Sequence, residues 1–201
     1  FYVKDAQAGD DKELEALPVL EEKTDEAPLR ADPGIGYIFE HTLGKKCLVF
    51  VNSREECEAV TTSLRQYCEA KREPDRFLIH HGNLSASLRE DAEARMKDDE
   101  ITRAVTCATV TMELGIDIGK LERIIQNDAP NTVSSFLQRL GRSGRRGQPS
   151  QILTVIREED PLPNTPLPQL IPWNLLRAIA IIQLYAEERF TEPPYVRKKP
   201  F

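Results

Sequence analysis

The chain has 201 residues, 40% of them hydrophobic and 30% charged, with a formal net charge of −6. This is enough apolar material for one domain with appendages, and too much for a chain that is disordered throughout. The acidic balance excludes a nucleic-acid binder that works by bulk charge, so any such site must be a local patch.

Residues 1–36 carry the weakest pattern and are expected to be a leader, partly disordered or made of edge elements. Phe1-Tyr-Val3 suits a first strand. Leu14, Leu17 and Leu20 recur by threes, but Pro18 interrupts them. Asp25-Glu-Ala-Pro28 echoes a magnesium-binding acidic box yet lacks the apolar strand such a box needs before it. Arg30–Gly36 reads as turn chemistry.

From residue 37 the pattern is regular. Tyr37–Leu43 predicts a short helix stopped at Gly44. Cys47–Val51 is a continuous apolar run, as in strands buried on both faces of a parallel sheet. Ser53 and Glu56 then form a capping box, and Cys57, Val60, Leu64, Tyr67 and Cys68 make the apolar stripe of the helix that follows. Arg76–Ile79 is the next strand. Gly82-Asn83 turns into a helix capped at Ser85 or Ser87, with Leu88, Ala92 and Met96 predicted on its buried side. Ala104–Ala108, Arg123–Gln126 and Gln151–Ile156 complete the strands. Such alternation implies an α/β fold with a parallel sheet and right-handed crossovers.

Residues 158–172 form a Pro-rich linker, and 173–189 an amphipathic helix lined by Trp173, Leu176, Ala180 and Leu184. That helix either packs back on the domain or opens a further one. The four cysteines, Cys47, Cys57, Cys68 and Cys107, form no C-x-x-C pair, which predicts buried free thiols in a reducing compartment and no metal site. With neither a signal peptide nor an apolar run of ~18 residues, a soluble cytoplasmic protein is expected, with no membrane partner.

Residues 138–147 read Gln-Arg-Leu-Gly-Arg-Ser-Gly-Arg-Arg-Gly, with Arg139, Arg142, Arg145 and Arg146 within eight positions. Arginine is permanently charged and its planar fork matches phosphate oxygens. Helical spacing predicts Arg139, Arg142 and Arg145 on one face, where a solvated basic helix end is the competing reading. Upstream lies Thr106–Gly119, containing Glu113-Leu-Gly-Ile-Asp-Ile-Gly119. No G-x-x-x-x-G-K-[ST] phosphate loop occurs, so the chain does not hydrolyse a nucleotide alone.

Together Thr106–Gly119 and Gln138–Arg146 resemble motifs V and VI of the superfamily 2 helicases, with wording nearest the large helicase-related (Lhr-like) family. Leu48–Arg54 resembles motif IV, and His80–Ser85 the short strand-end motif between IV and V. Motif VI reads Gly141-Arg-Ser-Gly-Arg-Arg146 where many relatives read Gly-Arg-Ala-Gly-His, and a branch of repair helicases shares the Glu-Leu-Gly-Ile-Asp stretch. The resemblance implies a RecA-like helicase C-terminal domain over residues 37–157, with the start of a winged-helix domain in 173–201. It implies the second motor domain of an ATP-dependent helicase, using ATP with Mg2+ held mainly by a first RecA-like domain of the same polypeptide. Single-stranded DNA is the expected partner. The competing class is a non-catalytic nucleic-acid-binding or protein-interaction module on the same fold.

The resemblance assigns roles by position. Arg142 and Arg145 fall at the arginine-finger positions, reaching a γ-phosphate across the interdomain cleft. Gln138, Gly115 and Asp117 fall at nucleotide-contacting positions, although Asp117 also suits a turn cap. Ser53, Arg54, His81, Gly82 and Thr109 fall at contacts to a strand backbone. For these the local alternatives are capping by Ser53 and Thr109, a solvated Arg54, a structural His81 and turn geometry at Gly82.

Overall fold

The computed structural model describes residues 2–4 (backbone only), 32–113, 118, 121–143, 150–158 and 160–188. The predicted pattern at 10–22, the acidic box at 25–28 and the basic tail from Arg197 lie outside them.

The strands are β1 (Tyr2–Lys4), β2 (Cys47–Phe50), β3 (Phe77–His80), β4 (Val105–Ala108), β5 (Arg123–Asn127) and β6 (Ile152–Glu158). They form one parallel sheet in the order β1-β6-β5-β2-β4-β3. The helices are α1 (Pro33–His41), α2 (Arg54–Lys71), α3 (Ala86–Lys97), α4 (Val133–Leu140) and α5 (Trp173–Ala186). Side chains of β2 alternate between the two faces. Cys47, Val49 and Val51 enter the core beneath α1 and α2, while Leu48 and Phe50 enter the core beneath α3 with Ala92, Met96 and Met112. This is the expected parallel sheet flanked by helices.

Local chemistry explains where the elements begin. Residues 32–36 form a helix start rather than the expected turn. Asp32 accepts from the N–H groups of Gly34 and Ile35 at 2.8 and 3.2 Å, and Pro33 fits the first helical position. At Gly34 a Cβ would stand 3.0 Å from Arg157 Nε, so a larger residue there would need the Arg157 side chain to shift. After α1, Gly44 adopts φ +67° in the turn, which is the stop the sequence predicts. Ser53 caps α2 by accepting from Glu56 N at 3.0 Å. The return half of the box reaches one residue further back, with Glu56 Oε2 accepting from Asn52 N at 2.9 Å. Ser85 caps α3.

One expectation about faces is corrected, on α3. Ala92 and Met96 are buried, but Leu88 is 55% exposed, because the core beneath this helix takes in only Ala92 and Met96. On α5 the stripe of Trp173, Leu176 and Leu184 faces outward, and the buried residues are Ala178 and Ile181. Ala178 packs with Ala129 and Ile156, with Leu175 beside them, while Tyr185 meets Phe136 of α4 edge-on at 5.7 Å. Pro172 offers α5 no side-chain cap, so Glu158 at the end of β6 accepts from Leu175 N at 2.9 Å instead.

All four cysteines are buried and free. Burial pushes the Cys47 and Cys57 thiols up to about 12 and Cys107 to about 11. No helix among the described residues is long and apolar enough to cross a membrane.

Candidate nucleotide and nucleic-acid interface

Strand register builds the site. At the carboxyl ends of the strands Ala108 of β4 pairs with Phe50 of β2 on one side and His80 of β3 on the other, and Gln126 of β5 pairs with Phe50. The loops carrying Ser53, Thr109 and His81 therefore leave the sheet side by side, roughly 5 Å apart per strand. Beyond that row the chain diverges. β2 feeds α2 on one face, while β4 feeds the 3-10 turn Val110–Met112, whose Met112 joins the core of the other face. Parallel α/β sheets bind ligands at the carboxyl edge where connections diverge in this way.

Arg54 is exposed and pairs with Glu55 at 2.5 Å. Thr109 starts the 3-10 turn, yet its side chain makes no capping bond. Its N–H donates to His80 O at 3.3 Å. His81 lies beneath the surface at 2% exposed, with Nε2 3.2 Å from Glu58 Oε1 and neither ring nitrogen in a hydrogen bond. Gly82 does not use the left-handed backbone region, and a Cβ there would meet nothing within 4 Å, so its turn does not require glycine.

The arginine run departs most from expectation. α4 ends at Leu140 with Gly141 as its cap, so Arg142 lies in the following turn and not on a shared helical face with Arg139. Arg139 points inward and is 2% exposed. Its Nε donates to Glu113 Oε1 at 2.7 Å, its Nη1 donates to Gln126 Oε1, and its guanidinium stacks 4.9 Å from the Phe50 ring centroid. Burial lowers the Arg139 pKa, opposed by the hydrogen bond it donates to Glu113. Arg142 converges on the same residue by another route. Its Nε donates to the Glu113 backbone oxygen at 3.0 Å, and Nη2 donates there as well. Ser135 Oγ completes the set on Glu113 Oε2 at 3.3 Å.

Glu113 thus joins the turn after β4 to the arginine-rich turn after α4. Sequence reading had Glu113 only as part of a motif and Arg139 only as one basic residue of a run. The available signal was spacing: Arg139 follows Phe136 by three residues, which puts it on the buried face of α4. His80 and Glu93 were also missed; their ring-to-carboxylate contact measures 2.9 Å. Gln138 is half-buried on α4. Gly115, Asp117, Arg145 and Arg146 lie outside the described residues. Among the described residues, no group of three or more His, Cys, Asp or Glu side chains is placed to hold a metal ion.

Residues 34–147 match the family described as the helicase conserved C-terminal domain. The chain is 34% identical over 116 residues to the ATP-dependent helicase Lhr-Core of Methanothermobacter thermautotrophicus, covering 57% of this chain and 13% of that protein. It is 35% identical over 117 residues to the Lhr-Core helicase of Saccharolobus solfataricus, covering 56% of this chain and 13% of that protein. Among solved structures, Mycobacterium smegmatis helicase Lhr bound to ssDNA and AMP-PNP superposes with a TM-score of 0.63 at 27% identity, over 78% of this chain and 19% of that one. The C-terminal domain of the DEAD-box protein Dbp5 gives a TM-score of 0.53 at 18% identity over 77% of this chain and 79% of that one, a likeness of fold.

Proposed function

We propose that this chain, which belongs to the helicase conserved C-terminal domain family, is the second motor domain of an ATP-dependent DNA helicase. In this reading Arg142 and Arg145 neutralise charge developing at the γ-phosphate during phosphoryl transfer. Gln138, Gly115 and Asp117 contact the nucleotide. Ser53, Arg54, His81, Gly82 and Thr109 serve the backbone of a single strand, which accounts for tracking without sequence preference. ATP with Mg2+ supplies the free energy of each cycle and is held mainly by a first RecA-like domain, since this sequence has no phosphate loop.

The observation that carries the proposal is the double engagement of Glu113. One residue, four positions after Thr109, binds Arg139 through its carboxylate and Arg142 through its carbonyl. A motor must couple strand contact to nucleotide contact, and this is a covalent and hydrogen-bonded path of few atoms between them. A pure binding module has no use for it.

The outward stripe of α5 supports reading residues 173–201 as the start of a following winged-helix domain. Trp173, Leu176, Ile179 and Ile182 are 59%, 43%, 49% and 49% exposed, and an apolar face of this extent calls for a partner. The four free cysteines support a cytoplasmic setting.

The test uses the complete helicase polypeptide. Arg142→Lys and Arg145→Lys keep the charge but lose the fork, and each is expected to lower strand-stimulated ATPase by roughly 10³ or more. Strand binding without nucleotide stays unchanged, and Arg146→Ala retains turnover. Near-wild-type turnover in both lysine variants would remove the finger assignment. The 201-residue chain alone should show no stimulated ATPase in a phosphate-release assay.

A further inference from the structure

Thr109, 9% exposed, leaves the sheet on a turn whose far end is anchored by buried Met112 and by Glu113, so the question is what holds its near end. Val110, next along, is 58% exposed, and the 3-10 helix is only three residues long. A short turn of this kind has few backbone bonds of its own, so its shape must be imposed by neighbours. At the near end the neighbour that imposes it is His80, the last residue of β3. Its carbonyl accepts from Thr109 N at 3.3 Å and from Thr111 Oγ1 at 3.2 Å. Its ring, 2% exposed, places Nδ1 2.8 Å from Thr111 Oγ1 and Nε2 2.9 Å from Glu93 Oε1 of α3. Backbone and side chain of one residue therefore grip both ends of the Thr109–Thr111 turn.

Donor and acceptor counting gives the arrangement a direction. An ionised Glu93 can only accept, so Nε2 carries a proton toward it. In the neutral ring Nδ1 must then accept, and the one donor facing it is the Thr111 hydroxyl. That hydroxyl has a single proton and two acceptors in reach, Nδ1 at 2.8 Å and the His80 carbonyl at 3.2 Å. Both acceptors belong to His80, so whichever takes the proton, the hydroxyl is held to that one residue. Glu93 fixes the ring, His80 fixes the Thr111 hydroxyl, and Thr111 fixes the turn.

We propose that His80 is a positioning residue for strand binding: held by Glu93, it sets the Thr109–Thr111 turn so that the uncapped Thr109 hydroxyl faces a strand phosphate. The inference rests on Thr109 being a strand contact. His80 itself touches no strand, because its ring is sealed between β3, α3 and the turn. The link also ties α3, which otherwise carries no assigned role, to the strand-binding edge.

The test is fluorescence-anisotropy titration of a labelled oligothymidylate with the 201-residue chain at low salt, with a melting curve for each variant. Thr109→Val removes the proposed phosphate donor, and about tenfold weaker binding is expected, since hydrogen bonds to charged groups are the strong class. Thr111→Val removes the hydroxyl that His80 holds and keeps the shape of the side chain. It should weaken binding about fivefold while shifting the melting midpoint little, and Thr111→Ser should restore it to within about twofold. As a second pair, His80→Asn keeps an amide group near the Nδ1 position and His80→Gln keeps one near Nε2. The first should bind more tightly than the second even if both lower the melting midpoint. Unchanged binding by Thr109→Val would reject the strand contact itself. Weakened binding by Thr109→Val, with wild-type binding by Thr111→Val or no rescue by Thr111→Ser, would reject the role of His80 and leave the strand contact standing.

Discussion

Helices α4 and α5 lie against each other on one face of the sheet and invert each other's expected polarity. α4 takes a charged residue inside: Arg139 is sealed with Glu113, Gln126 and the Phe50 ring. α5 leaves large apolar residues outside, from Trp173 to Leu184. The two meet at the seam between Phe136 and Tyr185. Amphipathic periodicity identifies two faces of a helix; which one is buried depends on what the neighbouring chain offers. α4 meets a carboxylate and an amide at the end of the sheet, so its cation is paired there. α5 meets the narrow strip of Ala129 and Ile156 and the edge of Phe136, which leaves Trp173, Leu176 and Leu184 exposed.

The largest expected effect breaks the α4 side of this contrast. Glu113→Gln leaves Arg139 buried and without its counter-charge, and a loss of about 3–5 kcal/mol is expected in urea unfolding. Glu113→Leu combined with Arg139→Met should recover most of that loss, because a packed apolar pair of similar volume often replaces a buried ion pair. If Glu113→Gln unfolds like wild type, the pair is not a structural centre. Next comes the packed side of α5: Ile181→Ala is expected to cost about 2 kcal/mol, the low end for a site at the rim of a core. Tyr185→Leu keeps apolar contact and gives up the ring pair, so about 1 kcal/mol should be lost by the same measurement. Smallest of all is Leu176→Ala on the outer stripe, within about 0.5 kcal/mol in this chain. In a longer polypeptide in which a following domain covers the stripe, the same substitution should become clearly destabilising. A neutral result there would leave the stripe without a partner.

Much of the fold was legible. The apolar run at 47–51, the alternation of strands and helices and the cap residues Ser53 and Ser85 place the sheet and three of its helices within a residue or two. Two kinds of feature were not. Asp32-Pro-Gly carries the same residues a turn would use, and only the helix that follows tells the two uses apart. Leu88 keeps helical spacing with Ala92 and Met96, yet the core beneath α3 takes in only the latter two, and the extent of a core is a tertiary property. At the site, residue types and spacing marked the loops. Pairing of Arg139 with Glu113 was hidden because 26 residues separate the partners and strand register alone brings them together. His80 was hidden for a related reason: its partners Glu93 and Thr111 come 13 and 31 residues further along the chain.

The sheet order also has a consequence in time. Tyr2 pairs with Ile156, so the first strand of the chain lies against the last strand of the sheet. A ribosome adds roughly 5–20 residues per second, and about 150 residues separate these partners, so β1 must wait roughly ten to thirty seconds for its place to exist. Meanwhile β2 can pair with neither β4 nor β5 until each is made. The nascent chain thus passes through a long interval in which apolar strands such as Cys47–Phe50 have helices on hand and no neighbouring strand. Early pairing is non-local throughout, which places this domain among slow-folding topologies and makes chaperone dependence during synthesis the expected outcome.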